Sequence, residues 1–210
     1  MDGGTPPVRA PATLTDLVQR RHWIFDLDGT LTLAIHDFDA LRRQLDLPEG
    51  APILEACRAR PHSEALLKQV DDWERALVEQ AQPAPDALAL LSTLQPAHTL
   101  GVLTRNTHEH AIRTLEVTGL DRFFDADVVV GRDQAQPKPS PAGVHVLLRH
   151  WRAEPSDTVM VGDHPFDLEA GKRAGTATVW VDRTASGSRC AWADHRVTAL
   201  HLLLPPSPTR

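Results

Sequence analysis

The sequence has no run of about 18 apolar residues, so no helix is expected to span a bilayer. Its opening stretch, MDGGTPPVRAPATL, lacks the apolar segment of a secretory signal, and none is expected. The Gly and Pro content there suggests a flexible tail over residues 1–12. Positive charge is also short: 22 Lys and Arg stand against 28 Asp and Glu, for a net charge of −6. That balance leaves no general basic field and disfavours a nucleic-acid partner. Only two cysteines occur, Cys57 and Cys190, far apart and without a motif around either. Two free thiols in a reducing cytoplasm are the expectation, not a disulfide or a catalytic thiol. There is no internal repeat, and residues 205–210 of the Pro-rich end read as a second flexible tail.

What remains is ordinary for a globular protein. At 210 residues, the chain is long enough for one substantial core plus a small insert. Thr13 or Thr15 can cap a short helix reaching Arg20. Residues 22–26, HWIFD, read as a short buried strand. Helical spacing follows over 37–46, with Phe38, Leu41 and Leu45 on one face, and then over 52–59 and 62–81. The last of these carries Leu66, Leu67, Val70, Trp73 and Leu77 as its apolar stripe. Its Glu64, Asp71, Asp72, Glu74 and Glu79 read as a solvated face.

Pro83 and Pro85 break that pattern. Beyond them helices and strands alternate: helix 85–94, strand 99–104, helix 107–118, strand 127–130, helix 140–151, strand 157–161, helix 165–174 and strand 177–181. A short element follows near 194–204. Val-rich strands alternating with helices predict an α/β fold around a parallel sheet. The helix-only region 33–83 does not fit the alternation and reads as an inserted cap.

The most restrictive string is HWIFDLDGTLT, residues 22–32. Asp26 falls at the carboxyl end of the first strand, where parallel sheets build their sites. Asp28 lies just beyond, in a turn that Gly29 permits and the Thr30 hydroxyl can hold. Two carboxylates this close repel unless a proton or cation compensates. A hard divalent ion with oxygen ligands, Mg²⁺ above all, suits them.

An apolar strand ending in Asp26-Leu27-Asp28-Gly29-Thr30 resembles the haloacid dehalogenase superfamily. Three further motifs stand in that family's order: Thr104 in GVLTRN, Lys138 in QPKPSP, and Asp163 with Asp167 in VMVGDHPFD. The resemblance implies a Rossmann-like core with a parallel sheet, over residues 13–32 and 84–204. It also implies a small C1-type helical cap over 33–83, as in phosphoglycolate phosphatase-like members. By the same resemblance Asp26 is the nucleophile that carries a transient aspartyl-phosphate, and Asp28 is the general acid and base. Thr104, with backbone N–H groups of Arg105 or Asn106, would hold phosphoryl oxygens. Lys138 would stabilise charge on Asp26 and the transferring group. Mg²⁺ would be held by Asp26, by the backbone carbonyl of Asp28, by Asp163 and by Asp167, the last through water unless it pairs with Lys138.

The implied reaction is hydrolysis of a small organic phosphomonoester, by a cytoplasmic monomer or homodimer with no membrane partner. A mutase of the β-phosphoglucomutase kind is the alternative, but it needs a water-excluding cap and this one is short. A non-catalytic binding module on the same fold is a further alternative, disfavoured because no motif residue is missing. The dehalogenase branch is not expected, since it needs neither Asp28 nor a metal. In the cap, His36, Asp37, Arg42, Arg43, Arg58 and Arg60 are the charged candidates for meeting substrate, each expected as a surface charge. His164 is expected to be solvated.

Overall fold

The computed structural model describes residues 14–35, 37–185 and 189–204. The two expected tails and His36 lie outside them. Among the described residues, six strands form one parallel sheet: β1 (His22–Phe25), β2 (Thr99–Leu103), β3 (Val129–Val130), β4 (Thr158–Gly162), β5 (Ala177–Val181) and β6 (His195–Val197). Their order is β3-β2-β1-β4-β5-β6. The chain thus builds outward from β1 on one side, then returns to its other side with β4. Such a reversal opens a crevice at the strands' carboxyl ends. In register, Phe25 of β1 faces Val102 of β2 and Val161 of β4.

Eight α-helices accompany the sheet among the described residues: α1 (Leu14–Val18), α2 (Phe38–Gln44), α3 (Ile53–Arg58), α4 (Ser63–Val78), α5 (Ala87–Leu94), α6 (His108–Thr118), α7 (Ala142–Trp151) and α8 (Pro165–Ala174). Local chemistry sets several ends. The Asp37 side chain accepts from Ala40 N at 2.8 Å and caps α2. Thr107 caps α6, which stops at Gly119 with φ +67°. Helix α8 starts with His164 as cap and Pro165 in its first turn, and ends at Gly175 with φ +85°.

Two apolar cores result among the described residues. The larger is built on the sheet, from residues such as Trp23, Phe25, Val102, Leu147 and Val161. The smaller holds Leu41, Leu45, Ile53, Leu54, Cys57 and Val70, all from α2–α4 and their loops. The chain leaves and re-enters the sheet layer by two adjacent connections. Leu33 N donates to Gln82 O at 2.9 Å, and Ala84 N to Leu31 O at 2.8 Å. Cys57 and Cys190 are both free.

Some boundaries differ from the sequence pattern. Strand β1 ends one residue early, at Phe25, so Asp26 starts the loop. The segment 127–130 is mostly a 3-10 turn over Ala126–Val128, with only two strand residues after it. Helix α4 stops at Val78, and the tighter bonds Gln80 N to Leu77 O at 2.9 Å and Ala81 N to Val78 O at 3.1 Å turn the chain before Pro83 is reached. The last element resolves into β6 and a 3-10 turn at Leu200–Leu203.

Candidate active site

The crevice at the carboxyl ends of β1, β2 and β4 gathers side chains from all four motifs. Asp26 follows β1, and its N–H donates to Val161 O of β4 at 2.9 Å. Lys138 reaches in from its Pro-flanked loop and is 1 % exposed. Its Nζ sits 2.5 Å from Asp26 Oδ1 and 2.7 Å from Asp167 Oδ1. A third bond goes to Leu103 O at 2.8 Å, so the ammonium's three donors are all used. Burial alone would lower the Lys138 pKa, but the charges of Asp167 and Asp26 outweigh it and hold the pKa above its usual range.

Two glycines allow the acids to come so close. Gly29 has φ +84°, and a Cβ there would lie 2.2 Å from Asp163 Oδ2. A Cβ at Gly162 would lie 2.3 Å from Asp167 Oδ2. Thr30 Oγ1 donates to Asp163 Oδ1 at 3.3 Å. Carboxylate oxygens of Asp26, Asp163 and Asp167 come within 4.8 Å of one another. Burial, then mutual repulsion with neighbouring acids, raises the pKa of both Asp26 and Asp163. A cluster of hard oxygens with more negative charge than Lys138 offsets fits a divalent cation such as Mg²⁺.

Asp28 is only half-buried. Asn106 Nδ2 donates to its Oδ2 at 2.8 Å. Burial and then the Glu74 charge push the Asp28 pKa up to about 6, against the bonds from Asn106 and Thr32. Thr104 is buried, and its Oγ1 accepts the Asn106 N–H at 3.1 Å. Asn106 therefore has a part that sequence reasoning did not give it: its side chain orients Asp28. Arg105 turns its side chain sideways. It donates to Lys138 O, pairs with Glu55 at 2.8 Å and 3.1 Å, and lies over the Phe166 ring. Asp167 pairs with Lys138 and also accepts His164 N at 2.9 Å, closing the cap of α8.

Three contributors were not legible in the motifs. Trp180 Nε1 donates to Asp163 O at 3.0 Å. Arg183 donates to Gly29 O and Thr30 O at 3.3 Å and 3.0 Å. The third corrects an expectation: Glu74 is not on a solvated face but 7 % exposed. It takes two bonds from Arg132, at 2.6 Å and 2.9 Å, and lines the crevice near Asp28. The available signal was its i, i+4 spacing between Val70 and Val78, both buried. Asp71, Glu74 and His110 lie close together, but Arg132 already supplies that group with a cation. Of the other cap candidates, Arg42 lines the crevice, Asp37 caps α2, and Arg60 ties down Leu45 O and Asp46 O. Arg43 and Arg58 are exposed, as is His164, whose Nδ1 accepts Phe166 N.

Comparison with known proteins agrees with this geometry. The model of the family described as haloacid dehalogenase-like hydrolase matches residues 39–181. Pyrophosphatase PpaX of Listeria welshimeri is 32% identical over 185 residues, which cover 75% of this chain and 81% of that protein. Phosphoglycolate phosphatase of Aquifex aeolicus is 31% identical over 175 residues, covering 74% and 81%. The crystal structure of an HAD phosphatase from Thermococcus onnurineus superimposes with a TM-score of 0.65 at 25% identity, covering 87% of this chain and 95% of that one. The chain belongs to the haloacid dehalogenase-like hydrolase family, among its phosphatases. No helix among the described residues is long and apolar enough to cross a membrane.

Proposed function

We propose that the protein is a Mg²⁺-dependent phosphatase that hydrolyses a small phosphomonoester through an aspartyl-phosphate on Asp26. The observation that carries this reading is the convergence of Asp26, Asp163 and Asp167 around Lys138, in the crevice between β1 and β4. Residues 33–83 act as a cap over that crevice, and a reducing cytoplasm suits the two free thiols.

The Asp26 carboxylate attacks phosphorus as the ester's P–O bond breaks. Asp28 gives its proton to the leaving oxygen, and the alcohol departs. Asp28 then takes a proton from water; that water attacks phosphorus and breaks the acyl-phosphate bond, returning the Asp26 carboxylate and releasing phosphate. A pKa near 6 lets Asp28 serve in both directions. Thr104 and the backbone donors around it hold phosphoryl oxygens, and Lys138 favours the ionised form of Asp26 and holds it in place. Asp26, the Asp28 carbonyl, Asp163 and Asp167 would hold Mg²⁺, whose charge screens the repulsion between carboxylate and phosphate.

The test is phosphate release from a panel of phosphomonoesters with and without Mg²⁺. Mg²⁺-stimulated release is expected, and Asp26→Asn should abolish turnover while leaving the circular dichroism spectrum unchanged. Asp28→Asn should slow turnover by about 10²–10⁴. No Mg²⁺-stimulated release across the panel would overturn the reading.

A further inference from the structure

The turn that follows Asp26 is gripped from behind by a residue outside all four motifs. Arg183 lies just past β5 and is half-buried. Its Nε donates to Gly29 O at 3.3 Å and its Nη2 to Thr30 O at 3.0 Å. The same guanidinium meets Asp86 Oδ1, from Nη1 at 3.4 Å and from Nη2 at 3.3 Å. The second Asp86 oxygen accepts His201 N at 3.1 Å. Asp86 stands at the start of α5, yet its side chain makes no capping bond there. It is committed to Arg183 and His201 instead. Burial alone would raise the Asp86 pKa, but the His201 bond and the Arg183 charge outweigh it and hold the pKa below its usual range.

Gly29 explains why the turn needs such a grip. Its φ of +84° brings the chain against Asp163, where a Cβ would not fit. Lacking a side chain, Gly29 moves between backbone conformations at little cost and cannot lock the turn by its own packing. Thr30 anchors one side, since it is fully buried and its hydroxyl donates to Asp163 Oδ1 at 3.3 Å. Arg183 anchors the other. A guanidinium is a planar, rigid fork, so one side chain fixes two successive carbonyls at once. That sets the direction of the chain leaving Asp28. Asp86 balances the guanidinium charge, so the grip adds little net positive field behind the acids.

Resting on the Mg²⁺-dependent phosphatase reading above, we propose that Arg183, oriented by Asp86, is a positioning residue for the metal site, holding the Gly29–Thr30 backbone so that the Asp28 carbonyl is set for the ion before it binds. Arg183 touches neither substrate nor reacting atoms. A turn without this hold would have to be ordered each time an ion bound, and that cost would weaken binding. With Arg183 in place the ordering is met on folding. Its loss therefore shows in Mg²⁺ affinity. Substrate affinity is set elsewhere, by Thr104 and the donors after β2.

The experiment titrates Mg²⁺ alone into the full-length protein and two variants by isothermal titration calorimetry. Arg183→Lys keeps a charge beside Asp86 but loses the fork, and should raise the Mg²⁺ dissociation constant about tenfold, the size of one lost charge-assisted bond. Asp86→Asn leaves the fork in place and should raise it less than about threefold. At saturating Mg²⁺, KM for the fastest phosphomonoester of the panel should stay within about twofold in both variants. An unchanged Mg²⁺ constant in Arg183→Lys would overturn the proposal. So would a larger effect in Asp86→Asn, or a KM that rises in step with the Mg²⁺ constant, the mark of a general loosening. If the unmodified protein binds Mg²⁺ but releases no phosphate across the panel, the phosphatase reading falls and the calorimetry still decides on Arg183. No Mg²⁺ binding by the unmodified protein would overturn both.

Discussion

Lys138 shows most clearly how one residue's surroundings fix its part. A buried ammonium is unfavourable by itself, and three acceptors compensate it: Asp26, Asp167 and Leu103 O. Lys138→Met would leave two carboxylates facing each other without a cation. It should abolish turnover and cost about 3 kcal/mol of stability in the absence of divalent ions, read by urea unfolding. His22, at the opposite end of β1, offers a test that does not touch the chemistry. Its ring stacks on Trp151 at 5.5 Å, and its buried Nδ1 has no hydrogen-bond partner among the described residues. Burial, helped by the Arg21 charge, lowers its pKa below 6.5 against the pull of Asp157. The unfolded chain therefore binds the proton more readily. Stability is full above the unfolded pKa and is lost as pH falls through about 6.5 and below. His22→Phe should flatten that part of the curve, as measured by denaturation midpoints between about pH 5 and pH 8.

Among the elements, α4 matters most for the site after the strands themselves. It is solvated along one side, where Lys68–Asp72 and Arg75–Asp71 pairs sit four residues apart. Its other side buries Val70, Glu74 and Val78. Glu74 fastens α4 to Arg132, which follows β3, while Glu55 of α3 fastens to Arg105 after β2. The first pair is buried and the second more exposed, so they should differ in weight. Glu74→Ala should cost about 3 kcal/mol in urea unfolding, because it leaves the buried Arg132 guanidinium with only the longer Asp71 contact at 3.6 Å, whereas Glu55→Ala should cost under about 1 kcal/mol. Element types were legible where the cue is local. HWIF is a run that a buried strand needs, and Thr107 and Gly119 mark the two ends of α6. Glu74 was misread because a charged residue on an amphipathic helix is usually solvated. Its partner lies 58 residues away, where no local pattern can reach.

For the whole molecule, the strand order does the assembling. Residues 26, 104, 138, 163 and 167 are scattered along the chain, yet β1 lies between β2 and β4, so the loops after these strands share one crevice. The α/β alternation and the motif positions were readable in the sequence because strand ends and turn residues carry local signatures. The supports were not: Trp180 on Asp163, Arg183 on the Gly29–Thr30 backbone, and the Asn106 side chain on Asp28 all depend on which strands become neighbours. Because several acids crowd one cation, saturating Mg²⁺ should raise the melting temperature. An excess of about 100-fold over the dissociation constant corresponds to about 2.7 kcal/mol. Asp163→Asn should remove most of that rise in thermal melts.

The central claim is that the Asp26 side chain itself carries the phosphoryl group. Borohydride reduces an acyl phosphate to an alcohol, so an aspartyl-phosphate trapped during turnover becomes homoserine. Turnover stopped with borohydride, followed by peptide mass spectrometry, should find homoserine at position 26 only when substrate and Mg²⁺ are both present. Steady turnover with position 26 unmodified, or full activity in Asp26→Asn, would contradict the account.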